Sequence, residues 1–324
     1  MILPYLLRLT VLSLACFFLI HAVLAVAMNW LAPWLLQLAE RRAPSSAARL
    51  LLTARLFPSV ASILVVAGVC VPSYLWLEPE AAVEHVGVAC LAAALLSAAI
   101  WAVSSGRGLR AIVLSAQYMR HCRKLGRETR LAGEKTRVIE GAGGLFALAG
   151  ILRPHLVISR EVLQNLSAEE LEAALRHERA HSSSRDNLKR LLLLLAPDVL
   201  PGRQLGLQSL ERGWAKYTEW AADDRAVGGD SGRSISLAAA LVQVARLGIN
   251  MEASPLMTSL VADGQDLEAR VDRLLGAAPG CENHRQELPA FIPMSLFLGG
   301  TLAAASIAPA ALQAAHRLLE HLIR

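Results

Sequence analysis

Apolar and polar residues divide this chain into long charge-free blocks separated by charged ones. No Asp, Glu, Lys or Arg occurs in 9–31, 56–77, 86–105 or 288–315. A membrane-crossing helix needs roughly 20 consecutive apolar residues, so four spans are predicted. The first block lacks a clear basic start and three further spans follow, which favours an anchor over a cleaved signal peptide. Between the third and fourth blocks the pattern changes. Residues 106–130 read as a basic helix continuing out of the third span, with Ile112, Val113, Ala116 and Met119 along one side. From 136 to 159, short apolar runs broken by glycine predict two or three strands. Ser167-Ala-Glu-Glu then forms a capping box and opens a helix. The run "DNLKRLLLLLAPDVLP" has the wrong length and flanks for a fifth span and reads as a core or interfacial helix ended by Pro201. Further helices are predicted over 208–227, stopped by Gly228-Gly229, and over 233–247 and 266–276, with 253–266 as loop. The expected architecture is an α-helical integral membrane protein of four spans with an α+β, mainly helical domain. Its divisions are 1–105 (three spans), 106–287 (the domain) and 288–324 (fourth span and short tail).

Charge orients this frame. The first loop carries Arg41, Arg42, Arg49 and Arg55, the second carries Glu78, Glu80 and Glu84, and Arg107, Arg110, Arg120, Arg123, Lys124, Arg127 and Arg130 follow the third span. The positive-inside rule places the N-terminus outside and 106–287 in the cytoplasm. A hydrophobic fraction of 54% exceeds the soluble norm of about 45–50%. The net charge of +5 would suit nucleic acid, but the basic residues lie at membrane edges, where topology and anionic lipid account for them. The expected partners are the lipid bilayer and a protein or peptide substrate, with no direct nucleic-acid contact. The five cysteines form no Cys-x-x-Cys pair, so spacing indicates neither a disulfide framework nor a thiolate metal site.

Chemistry concentrates in "AALRHERAHSSSRDN", residues 173–187. Residues four apart share a helix face, so His177 and His181 can present ring nitrogens to one metal ion, with Glu178 placed to take a proton from a water at that ion. Two histidines at this spacing also occur on a solvated amphipathic helix. The helix at 208–227 supplies "YTEWAADDRA", where Glu219 and Asp223 lie one turn apart. Glu219 would complete three protein ligands for Zn2+ and leave a position for water. Asp223 would orient a ligand histidine. His21 lies inside a span and reads as a hydrogen-bonded neutral ring. His121, His155 and His284 read as surface residues, with His155 in reserve because it closely precedes the motif helix.

"LRPHLVIS", "LSAEELEAALRHERAHSSSRDN", "EWAADDRAV" and "LEARVDRLL" occur in this order, and over about 136–276 the chain resembles the BlaR/MecR sensor-transducer membrane metallopeptidases. It resembles the HtpX-like and prenyl-protein endopeptidases more distantly. The resemblance implies a cytoplasmic zincin-like (gluzincin) peptidase domain in a bacterial-type cytoplasmic membrane. It implies one zinc on His177, His181 and Glu219, and Glu178 as the base. It also implies that the strand Phe146, Ala147, Leu148 and Ala149 holds an extended substrate by β-augmentation. Asp186-Asn187 resembles the family's Asp-Asn after the motif. Arg270 is a candidate partner of Asp223 or stabiliser of the transition state. The BlaR/MecR sensors carry a large extracytoplasmic drug-binding domain after the last span. Here the chain ends soon after it, so direct β-lactam sensing is not expected. The distant relatives' His-Pro-Pro element is replaced by "DGQDLEARV". The implied substrates are a cytoplasmic repressor of the winged-helix kind, in regulated proteolysis, or damaged membrane proteins. A non-enzymatic transducer retaining the fold is the alternative from another class.

Overall fold

A computed structural model describes residues 4–78, 86–131, 134–151, 154–199, 206–248, 256–261 and 267–276, together with 310, 312–314 and 317. Three helical rods correspond to the first three charge-free blocks. They are α1 (Tyr5–Glu40), α2 (Pro44–Val65) continuing through a π turn (Val66–Cys70) into α3 (Val71–Leu77), and α4 (Val88–Leu125). Each is long and apolar enough to cross a membrane. The fourth block lies outside the described residues except near its end, where Ser73 Oγ donates to Leu312 O at 2.9 Å.

The rods are longer than a bilayer requires. At 36, 34 and 38 residues each reaches more than ~50 Å, against a hydrocarbon core of about 30 Å. The excess length leaves helix ends on which the rest of the molecule packs. Ala25, Ala32 and Ala39 on α1 and Ala47 and Ala54 on α2 are buried at seven-residue spacing, which keeps a small-residue stripe on one face and permits close helix approach. Leu207, Leu210, Trp214 and Tyr217 of α8 (Gly206–Val227) pack on this stripe. α8 begins with a close approach: Gly206 N donates to Asn29 Oδ1 at 2.5 Å. α4 runs unbroken past residue 105, the boundary expected from the charge pattern.

Five strands follow: β1 (Arg127–Leu131), β2 (Glu134–Ile139), β3 (Phe146–Ala149), β4 (His155–Ser159) and β5 (Met257–Ser259). Their order is β1-β2-β4-β3-β5, with β2 and β4 parallel and every other pair antiparallel. Two strands differ from expectation. The end of the predicted basic helix, 127–130, is strand β1, turned out of α4 at Gly126. Part of the predicted loop 253–266 is β5, ordered by pairing Met257, Thr258 and Ser259 with Ala149, Leu148 and Ala147. Ser159 caps the short α5 (Arg160–Asn165), which the sequence did not suggest.

The predicted capping box opens α6 (Ala168–Ser184): Ser167 N donates to Glu170 Oε2 at 2.8 Å, and Glu170 N to Ser167 Oγ at 3.3 Å. α6 ends at Arg185, whose left-handed backbone (φ 54°) turns the chain into α7 (Asp186–Leu195). That helix stops before Pro197, ahead of the expected Pro201. Beyond it, Asp198 is clamped by two arginines of the rods, Arg55 Nη2 at 2.7 Å and Arg107 Nη1 at 3.1 Å. α8 ends at Gly228 and Gly229, both at positive φ. α9 (Ser231–Leu247) and α10 (Leu267–Gly276) complete the core beneath the sheet.

The Gly206 contact sets a test of the α8 seat. A Cβ there would lie 2.6 Å from Asn29 O and 2.8 Å from Ala32 Cβ, whereas Gly106 in α4 has nothing within 4 Å. Gly206→Val should destabilise the purified chain by about 1–3 kcal/mol through overpacking. Gly106→Ala should hold or raise stability by up to about 1 kcal/mol. Thermal unfolding in detergent reads both, and equal melting temperatures would mean α8 is not seated as described.

Candidate metal centre

α6 and α8 cross beneath the sheet and bring the two candidate motifs together. His177, Glu178, His181 and Asp223 are all at most 1% exposed, and the Glu219 side chain is 13% exposed. The His177 and His181 Nε2 atoms face each other at 3.0 Å, and Glu219 Oε2 lies 3.5 Å from each. Behind the rings sit two further carboxylates. His181 Nδ1 donates to Asp186 Oδ2 at 2.8 Å. His177 Nδ1 lies 2.9 Å from Asp223 Oδ1, at an angle too bent for a well-directed hydrogen bond.

These contacts decide what the site can hold. The hydrogen bond to Asp186 fixes the His181 ring proton on Nδ1, the Asp223 carboxylate beside His177 Nδ1 favours it there, and both Nε2 lone pairs turn inward, a recurrent arrangement behind metal-binding histidines. Two lone pairs at 3.0 Å repel unless a proton or a cation stands between them. Glu219 adds a third electron-pair donor, and all three ligand atoms lie within 4.8 Å of one another. Ligand atoms about 2.0–2.1 Å from one zinc in tetrahedral array lie roughly 3.3 Å apart, so the donor set fits that ion. The charges agree. The four carboxylates Glu178, Asp186, Glu219 and Asp223 face the buried guanidinium of Arg270, with Lys189 and Arg190 reaching Asp186 and Glu219 from the surface, which leaves one negative charge in excess when both rings are neutral and every carboxyl is ionised. Burial disfavours the charged form of His181, but Glu219 and Asp186 outweigh it and raise the ring to about 10. His177 is raised likewise, with Asp223 and Glu219 overcoming burial. Two protons on the rings or one dication supply the same charge.

The remaining candidate residues sort by contact. Arg270 grips Asp223 with two hydrogen bonds, Nε to Oδ2 at 2.9 Å and Nη2 to Oδ1 at 2.7 Å, and its Nη1 donates to Leu260 O at 2.8 Å. Burial alone would raise the Asp223 carboxyl, but Arg270 and His177 bring it down to about 2. With these donors committed, Arg270 is placed to hold the carboxylates rather than to reach a substrate. Glu178 differs from the rest. Neither of its oxygens has a hydrogen-bond partner among the described residues, and burial raises it to about 7. It opens on a cleft of about 470 Å³ whose lining includes Leu148, Leu156 and Leu175.

β3 does not offer the free edge expected of Phe146–Ala149. β4 pairs with one side and β5 with the other, so the sheet edges among the described residues are β1 and β5. The pairing that fills this edge comes from residues more than a hundred positions away. His155 lines the cleft but does not join the three-donor group. Two residues have larger parts than the sequence indicated. Asp186 is the carboxylate behind His181, placed there by the left-handed turn at Arg185. Asn187 Nδ2 donates to Leu148 O at 3.1 Å and Gly150 O at 2.7 Å, tying α7 to β3. The Asp-Asn pair five residues past the second histidine was the available signal.

Residues 114–247 match the model of peptidase family M48. The matched segment runs from within α4 to the end of α9 and contains the whole three-donor group. Together with the three apolar helices, the M48 match points, at a coarse level, to a membrane-associated metallopeptidase. No curated protein and no solved structure gave a significant match.

The position of Glu178 inside the M48 segment yields a pH test. In the unfolded chain it ionises near its ordinary 4.5, in the folded chain near 7, so the cost of burying its charge is absent below 4.5 and fully present above 7. Glu178→Gln should therefore raise the melting temperature of chelator-stripped protein at pH 8 and have little effect near pH 4.5. A shift of the same size at both pH values would refute the raised ionisation.

Proposed function

We propose that this chain is a zinc-dependent endopeptidase of BlaR/MecR type, anchored in a bacterial-type cytoplasmic membrane. Its N-terminus lies outside and its peptidase domain, 106–287, faces the cytoplasm. The observation that carries the chemistry is the pair of inward Nε2 atoms at 3.0 Å, each ring backed by a carboxylate, with Glu219 as third donor. The arginine-rich first loop and the basic run after the third span support the orientation. The resemblance of 136–276 to BlaR/MecR peptidases supports a cytoplasmic repressor of the winged-helix kind as the substrate.

A zinc ion held by His177, His181 and Glu219 would polarise the scissile carbonyl and make a water acidic enough to deprotonate near neutral pH. The chain's own residues do the rest. Asp186 and Asp223 hold the two rings in one tautomer and orientation. Arg270 keeps Asp223 ionised and fixed. Glu178 takes the proton of the attacking water and delivers it to the leaving amine nitrogen, and a carboxyl near 7 is suited to both transfers. The leucine-lined cleft beside Glu178 receives the substrate chain. With β3 paired on both sides, that chain lies along α6 and is held by side chains more than by a strand edge.

The test uses full-length protein in detergent, washed identically with chelator. Wild type should retain about one zinc per chain and Glu219→Ala should lose it. Glu178→Gln should keep zinc yet lose cleavage of an unfolded protein such as casein by a factor on the order of 10²–10⁴. Folded wild type without zinc, or a Glu178→Gln variant cutting at the wild-type rate, would overturn the reading and favour a non-enzymatic transducer.

A further inference from the structure

Resting on the peptidase reading, we infer that the cleft beside Glu178 selects acidic substrate residues, glutamate above all. The α6 residues that line it, Leu175, Glu178, Arg179, Ser182 and Ser183, fall on one helical face at spacings of three and four. The sheet contributes Lys135 of β2 and His155 of β4 to the same lining. Apart from Glu178, the ionisable side chains among the described lining residues are Lys135, His155 and Arg179, all basic. The hydroxyls of Ser182 and Ser183 add donors.

The arrangement discriminates by charge and by length. Leu148, Leu156 and Leu175 give the lining apolar surface for a methylene stem. Lys135, from β2, and Arg179, from α6, both line the cleft, where they can meet a carboxylate carried on that stem. Glutamate has two methylenes and satisfies both halves, aspartate reaches less far, and a lysine or arginine would meet like charge. The Lys135 side chain is 69% exposed and its Nζ stands 3.8 Å from Glu128. This is a loose pairing that a substrate carboxylate can replace. The volume of about 470 Å³ lies within the range of roughly 300–1,000 Å³ found for ligand pockets. Partly exposed charge pairs are individually weak, so the expected preference is moderate, about tenfold for two contacts.

Two measurements test this on the full chain. In the first, wild type digests a mixture of unstructured peptides and the products are read by mass spectrometry. Acidic residues should be enriched about tenfold at one position beside the cut bond, with Glu above Asp. Lys135→Glu, and separately Lys135→Glu with Arg179→Glu, should abolish or invert that enrichment in favour of Lys and Arg. In the second, the Glu178→Gln variant binds a fluorescent decapeptide containing two glutamates, and its glutamine counterpart, followed by anisotropy. The acidic peptide should bind more tightly, and the difference should shrink as salt rises. Efficient cleavage with no acidic preference would overturn the inference and leave the peptidase reading intact. Absence of all Glu178-dependent cleavage would overturn the peptidase reading, and the binding measurement would then decide the charge preference alone. Equal binding of both peptides at low salt would overturn the inference.

Discussion

The structure is organised around buried charge that has to be compensated. Glu178, Asp186, Glu219 and Asp223 sit with two imidazoles and one guanidinium between α6, α8 and α10. Isolated charges in such surroundings are very costly, and three of the four carboxylates are met by cationic partners. Arg270 takes Asp223, Lys189 reaches in from the surface to Asp186 at 2.7 Å, and Arg190 stands 3.8 Å from Glu219. The compensation also builds the fold. Arg270 donates to Leu260 O just past β5, and Arg190 to Met257 O within it, so the charges of the centre fix the last strand of the sheet.

The same centre is mechanically close to the membrane rods. α8 has two working faces. Leu207, Leu210, Trp214 and Tyr217 press on the alanine stripe of α1 and α2, while Glu219 and Asp223 turn towards α6. One helix thickness therefore separates the rods from the donor set. The segment after α7 is held from the same side: His21 Nε2 lies 3.2 Å from Pro197 O, and Arg55 and Arg107 hold Asp198. The far end of α7 and the start of α8 are thus both fixed to the apolar helices.

What the sequence made legible follows from how local each feature is. The capping box at Ser167, the stop at Gly228-Gly229 and the His-Glu-x-x-His face depend on neighbours within one or two turns, and their patterns carry them. The pairing of Glu219 and Asp223 with the histidines was inferable because both pairs needed complementary partners. β5 was not legible, since three residues become a strand only by matching β3 across more than a hundred positions. For the same reason the strand Phe146–Ala149 could be seen but not the loss of its free edge. The cysteines show this as well. No spacing joins Cys16, Cys70 and Cys90, yet three rods bring them into one packed cluster, with the Cys16 and Cys70 thiols within hydrogen-bonding reach.

Departures from local rules gather within nine residues. Two imidazole nitrogens face each other at 3.0 Å, a carboxylate is buried with neither oxygen hydrogen-bonded among the described residues, and a non-glycine residue adopts φ 54°. Each is unfavourable in isolation, and a left-handed arginine alone costs roughly 1–2 kcal/mol. A helix under selection for stability alone would replace Glu178 with an apolar residue and end on glycine at 185. Keeping all three together is what a reaction centre requires: inward lone pairs to hold a cation, a carboxyl whose ionisation lies near neutrality, and a sharp turn that returns Asp186 to the back of His181. The concentration of strain on α6, with good capping and clean packing elsewhere on the same helix, locates the chemistry independently of any motif.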